Sequence, residues 1–225
     1  MLAVSDSSTA AVQHLEHNPL YERVYRELRR MLMEGAFAPG AELTLRSLAE
    51  GFGTSDMPVR DAVRRLISEG ALIGRPNRSP VVRQLTRVQF EEVRDVRMLI
   101  EGGATASACA ALSAEGLARL RQLQRDLSGA EPSDLALHRT LNRRFHFTIY
   151  EACAMPLLVS MIETLWLQVG PLFRSLSLPL LRRDLPDYHC LAVDALADRD
   201  AGAAAAAIRN DISASAAVVL ASSAI

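Results

Sequence analysis

The chain has 225 residues, 49% of them hydrophobic, and a formal net charge of −1, which gives room for two domains with packed cores. Its three cysteines, Cys109, Cys153 and Cys190, are odd in number, widely spaced and without a CxxC, which excludes a disulfide framework. All 25 basic residues are arginine, a bias read as genomic base composition rather than function.

Residues 1–17 lack a basic start and a long apolar core, so they read as a loose tail instead of a signal peptide. No apolar run approaches the roughly 18 residues a membrane span needs, and a soluble, cytoplasmic protein is expected. A first helix runs from Asn18, a cap, and Pro19 at the first position, with Leu20, Val24, Leu28 and Leu32 on its apolar side. In LTLRSLAEGFG, Thr44 caps a second helix whose apolar side is Leu45, Leu48, Ala49 and Phe52, and Gly53 ends it. A short turn leads to a third helix, TSDMPVRDAVRRLISEG, with Ser55 as cap, Pro58 in the first turn and Gly70 closing it. Val59, Ala62, Val63 and Leu66 face its core, which leaves Asp56, Met57, Arg60, Arg64 and Arg65 outside. Guanidinium forks on such a helix match guanine edges and phosphates, as a major-groove reader requires.

ALI and VVRQL then flank GRPNRSP, which predicts a two-stranded wing with Arg75, Asn77 and Arg78 at its tip. From Met57 to Arg87 seven arginines face two acids, a local basic surface on a nearly neutral chain. Either feature alone fits an ordinary solvated face. Helix, cap, arginine helix and basic hairpin in that order make a winged helix-turn-helix.

EGAFAPGAELTLRSLAEGFGTSDMPVRDAVRRLISEGAL resembles the DNA-binding domain of GntR-type bacterial transcription regulators, with its G-x-x-x-P-G, L-A-x-x-x-G, P-V-R-[ED]-A-[LV]-x-x-L and E-G-L motifs. The resemblance implies that Arg46, Arg60 and the wing from Arg75 to Ser79 meet operator DNA. The full set of candidate contacts is Arg46, Ser55, Asp56, Met57, Arg60, Arg64, Arg75, Asn77 and Arg78. Asp56 stands where the family carries a guanine-reading arginine. A carboxylate accepts from cytosine N4 instead, so the operator is expected to differ at that base or to bind more weakly there. Ser79 replaces the usual wing glycine.

Around Leu85 to Val88 the pattern turns to long helical periodicity, dividing the chain into 18–86 and 87–225. Helices are expected over Phe90–Leu112, Ala114–Leu127, Ser133–Cys153, Pro156–Leu176, Pro186–Ala197 and Ala201–Leu220, an all-α bundle. In DLALHRTLNRRFHFTIYEA, His138, Asn142, His146 and Tyr150 lie four apart and form one stripe, while His189 and Asp211 sit on separate helices. Bundles build metal sites from such clusters.

This half resembles the FCD ligand-binding domain of the FadR-type branch of the same family, where an Asp and a His in D-x-x-F-H plus two later histidines bind a divalent metal. By that resemblance His146 and His189 are ligands, Asn142 replaces the aspartate and Asp211 replaces the third histidine. Two histidines and a carboxylate can hold Zn, Ni, Mn or Fe with positions left open for an effector. The competing reading is a polar pocket that binds an organic effector without metal. Arg97 shares a face with Val93, Ile100 and Ala104; it either points inward to Glu101, Asp211 or a carboxylate effector, or snorkels at a helix edge. His138 reads as a surface residue, Trp166 and Phe173 as core or dimer contacts. Cys190 points about 100° away from its neighbour His189.

The expected function is a homodimeric, ligand-responsive transcription regulator, most simply a repressor that releases its operator on binding a carboxylate-bearing effector. Two alternatives are a helical metalloenzyme using His146, His189 and Asp211, and an architectural DNA binder without ligand.

Overall fold

The computed structural model describes residues 19–175 and 185–222; the expected tail over 1–17, the Asn18 cap and the proposed helix end at Leu176 lie outside them. Helices α1 (Pro19–Met33), α2 (Leu45–Phe52) and α3 (Asp56–Ser68) precede strands β1 (Leu72–Arg75) and β2 (Arg78–Val82). Then follow α4 (Arg87–Ala111), α5 (Ala114–Gly129), α6 (Leu135–Ala152), α7 (Pro156–Val169), a 3-10 turn (Gly170–Ser175), α8 (Tyr188–Ala197) and α9 (Ala201–Ala221). The mainly α fold, with a winged helix-turn-helix ahead of a helical bundle, is the one expected.

Local chemistry sets the ends. The Thr44 side chain accepts from the Ser47 amide, and Gly53 stops α2 in the left-handed region at φ 61°. Ser55 has the extended backbone of a cap but makes no side-chain capping bond. Pro58, Val59, Ala62, Val63 and Leu66 are buried on α3. Leu20 is 41% exposed, contrary to the expected stripe, because each step of four overshoots a full turn by about 40° and Tyr25 takes the buried place. In the wing, Leu72 pairs with Val82 and Arg75 with Arg78, and Asn77 turns the chain at φ 54°. Backbone bonds from Leu43 to Pro80 and from Val82 to Ala41 tie the wing to the segment before α2.

The bundle helices differ from expectation at their ends. α4 starts at Arg87 because Thr86 and Gln89 close a capping box. Asp134, Asp187 and Asp200 cap α6, α8 and α9. α7 stops at Val169 because Pro171 has no N–H to continue it, and the chain tightens into the 3-10 turn. Pro156–Arg174 and Ala201–Ala221 are long and apolar enough to span a membrane by length and composition, which corrects the expectation that no run qualifies. Within the bundle, Trp166 and Leu167 of the first and Ile208 and Ile212 of the second belong to the hydrophobic core.

α1 leans on α7 and the 3-10 turn through a glycine seam. A Cβ on Gly170 would lie 2.4 Å from the Leu32 carbonyl and 2.6 Å from that of Met33, and one on Gly35 (φ +64°) would lie 2.8 Å from the Gly170 carbonyl. Only glycine permits this approach. Beside it, Glu34 is 7% exposed and receives Thr140 Oγ1 at 3.0 Å, Arg143 Nε at 2.8 Å and the Arg30 guanidinium. Arg139 Nε donates to the Glu34 carbonyl at 2.7 Å.

Candidate DNA interface and ligand-binding centre

The outer side of α3 carries Asp56, Met57, Arg60 and Arg64, all exposed, with Ser55 exposed just ahead of it. Arg60 and Arg78 make no ion pair among the described residues, while Arg64 has only a 3.4 Å contact to Asp61 and Arg46 a 2.9 Å pair with Glu50 at 87% exposure. Exposed pairs of this kind are worth about 0–1 kcal/mol, so phosphate can displace them. Asp56 lies in the first turn of α3, where a carboxylate suits the helix dipole. Arg75 ends β1 at the wing tip, as expected, and also has partners within the fold. Its Nε donates to the Ser79 carbonyl at 2.8 Å and its guanidinium pairs with Glu42, so it braces the wing. Arg65 lies over the Tyr25 ring, 3.8 Å from the centroid, and Arg83 donates to the Gly70 carbonyl. Asn77 and Arg78 remain exposed at the tip.

The bundle encloses a cavity of about 340 Å³. His146 from α6, His189 from α8 and Asp211 from α9 line it, with ligand atoms within 4.8 Å of one another. His146 Nε2 lies 3.3 Å from Asp211 Oδ2 and 3.4 Å from His189 Nε2, and His189 Nε2 lies 3.9 Å from Asp211 Oδ1. Ligands about 2.1 Å from a metal stand about 3.4 Å apart in a tetrahedron, close to the two shorter separations, and a small turn of the Asp211 carboxylate would bring one oxygen toward both rings. Asn142, one turn before His146, lines the same cavity. Burial alone would raise the Asp211 carboxyl, but His189, then His146 and Arg97, outweigh it and hold it at about 2. A depressed carboxylate contributes stability above its ordinary pKa and loses it only as pH falls through the folded value. Asp211 is therefore an anion across the physiological range.

A buried relay fixes the His146 ring. Glu101 is fully buried and takes Arg97 Nε at 2.6 Å; the Tyr150 hydroxyl donates to Glu101 Oε2 at 2.5 Å. Burial, then the Glu101 charge, push the Tyr150 hydroxyl well above its ordinary value, so it keeps its proton. Its oxygen lies 3.0 Å from His146 Nδ1, which holds the ring with Nε2 turned toward His189 and Asp211.

Residues 20–82 match the bacterial regulatory proteins of the gntR family and residues 92–214 match the FCD domain. The chain is 35% identical over 182 residues to the HTH-type transcriptional regulator McbR of Escherichia coli (strain K12), covering 79% of this chain and 82% of McbR. It is a GntR-family regulator of the FCD type. The solved structure of E. coli McbR/YncC superposes with a TM-score of 0.84 at 31% identity, covering 91% of this chain and 98% of that one. The HTH-type transcriptional repressor RspR of E. coli (strain K12) is 27% identical over 148 residues, 65% of each chain. Family and relatives are transcription regulators, which sets the metalloenzyme reading aside.

In this GntR regulator the triad expected from three helices does converge, and Arg97 points inward to Glu101 rather than snorkelling. Its fork is closed on that partner and its Cζ lies 5.0 Å from the centroid of the Trp166 ring, so Arg97 lines the cavity as a brace. Cys190 hydrogen-bonds to Asp194 at 3.7 Å, away from the triad. His138 lines the cavity and is half-buried, where a surface position was expected. Trp166 and Phe173, expected in the core or a dimer contact, line it too. Sequence reasoning missed Glu34 and the role of Tyr150. Tyr150 closed the four-residue stripe and was the available signal; Glu34 had none for its cross-domain role, because its partners on α6 are more than 100 residues away.

Proposed function

We propose that residues 18–86 bind operator DNA and residues 87–225 sense a small molecule, in a homodimeric, cytoplasmic repressor released by an organic-acid-like effector. The observation that carries the sensing role is the His146, His189 and Asp211 triad, with the His146 ring oriented by Tyr150, beside a cavity of about 340 Å³. Asn142 would supply a fourth, amide oxygen ligand. A divalent metal held there would leave positions open to an anionic oxygen of the effector. Arg46, Ser55, Met57, Arg60, Arg64, Asn77 and Arg78 form the DNA face, with Asp56 favouring cytosine where relatives read guanine and Arg75 setting the wing's shape. The repressor role is supported by the name of RspR. Exposed Val88, Val96 and Leu99 give α4 an apolar surface suited to a second copy, as paired half-sites require.

Effector binding acts by favouring one of two dimer arrangements, which demands different affinity for the two. Arg60→Ala is expected to weaken operator binding about 10- to 100-fold, the worth of one bidentate base or phosphate contact, and to flatten the salt dependence of binding. Fluorescence anisotropy on an operator duplex across a salt series checks this. Unchanged affinity in Arg60→Ala would move the reading surface off α3.

A further inference from the structure

The charged groups lining the cavity, apart from Arg139, already have partners. Arg97 is closed on Glu101, Asp211 faces the two histidines, and Asp187 accepts from the Cys190 amide at 2.9 Å and from Gln124 at 3.1 Å. Arg139 is half-buried and makes no ion pair among the described residues; its Nε bond goes to the Glu34 carbonyl. The anions nearest it are engaged elsewhere, Glu34 by Arg30 and Arg143 and Asp134 by capping α6. Arg174 stands nearby with its own bonds to the Gly35 and Ala36 carbonyls, so two guanidiniums sit together on main-chain oxygens. Burial, then Arg174, lower the Arg139 pKa and outweigh the opposing pull of Glu34 and Asp134. Met33, the last residue of α1, lines the cavity at this end.

Arg139 and His146 are two turns apart on one face of α6, about 10 Å along its axis. A cation at one end and a metal-ligand triad at the other suit a ligand with an anion at each end. We propose that the effector is an acyclic dicarboxylate of about four to six carbons, one carboxylate at the triad and the other on Arg139. This rests on the metal reading above. It adds that the far end of the ligand is gripped at the seam with α1, by the arginine that also holds the Glu34 carbonyl. Ligand binding and the position of the DNA-binding lobe therefore share one side chain.

The test is calorimetric titration of Zn2+-loaded protein with butyrate, succinate, glutarate and adipate, with zinc content measured in every sample. In the wild type at least one dicarboxylate is expected to bind about tenfold or more tighter than butyrate, as a charge-assisted pair with arginine provides. Arg139→Gln is expected to bring that ratio near one, and Arg139→Lys to retain part of it, with circular dichroism confirming the fold of both. Equal binding of butyrate and the dicarboxylates by zinc-loaded wild type, or a preference that survives in a folded Arg139→Gln, overturns the proposal. Failure of the wild type to take up zinc sinks the metal reading and this inference with it.

Discussion

Glu101→Ala is expected to destabilise the protein by about 3–5 kcal/mol, the cost of leaving a buried charge without its partner. Arg97 is 5% exposed and its fork has both contacts on Glu101, so water cannot replace the lost carboxylate. Tyr150 loses its acceptor at the same time, and the His146 ring loses the anchored hydroxyl that orients it. Metal affinity should therefore fall about 10- to 100-fold, as with other groups that orient a ligand histidine. Urea denaturation reads the first effect and competition with a chromophoric chelator the second. The double variant Arg97→Met, Glu101→Leu separates them: removing both charges should restore most of the stability while the metal affinity stays low. A Glu101→Ala protein as stable as the wild type would mean that the pair contributes nothing.

Glu34→Ala is expected to cost about 2–3 kcal/mol and to uncouple the two functions. The carboxylate joins Arg30 of its own helix to Thr140 and Arg143 of α6, and α6 also carries Asn142 and His146 into the cavity. Arg30 and Arg143 keep some solvent access, which puts the cost below that of Glu101. With the carboxylate gone, a movement of α6 no longer reaches α1 through a fixed charge. Operator affinity of the effector-free, Zn2+-loaded protein should stay within about threefold of wild type, the range of a lost remote contact, while its change on adding a dicarboxylate disappears. A Glu34→Ala protein that still responds fully to the dicarboxylate would place the coupling elsewhere, for instance in the glycine seam.

The winged helix was legible because its signals are local. Thr44 and Gly53 bracket α2 within nine residues, and Val59, Ala62, Val63 and Leu66 mark the buried side of α3 by spacing alone. The stripe through His146 was legible for the same reason, and His189 and Asp211 through resemblance. What the sequence withheld were pairings between distant residues. The pairing of Arg75 with Glu42, 33 residues earlier, has no local signal. Helix ends shifted by a few residues where the capping group, such as Gln89 closing the box on Thr86, acts through geometry that composition does not reveal.

The most direct test of the central claim is the metal content of the purified protein by elemental mass spectrometry, set beside the His146→Ala, His189→Ala double variant. The arrangement of two imidazole nitrogens and an ionised Asp211 around one point predicts close to one divalent metal per chain in the wild type and almost none in the variant. A wild-type protein that stays metal-free after incubation with Zn2+, Ni2+, Mn2+ and Fe2+ would contradict it and leave a polar pocket that binds its effector without metal.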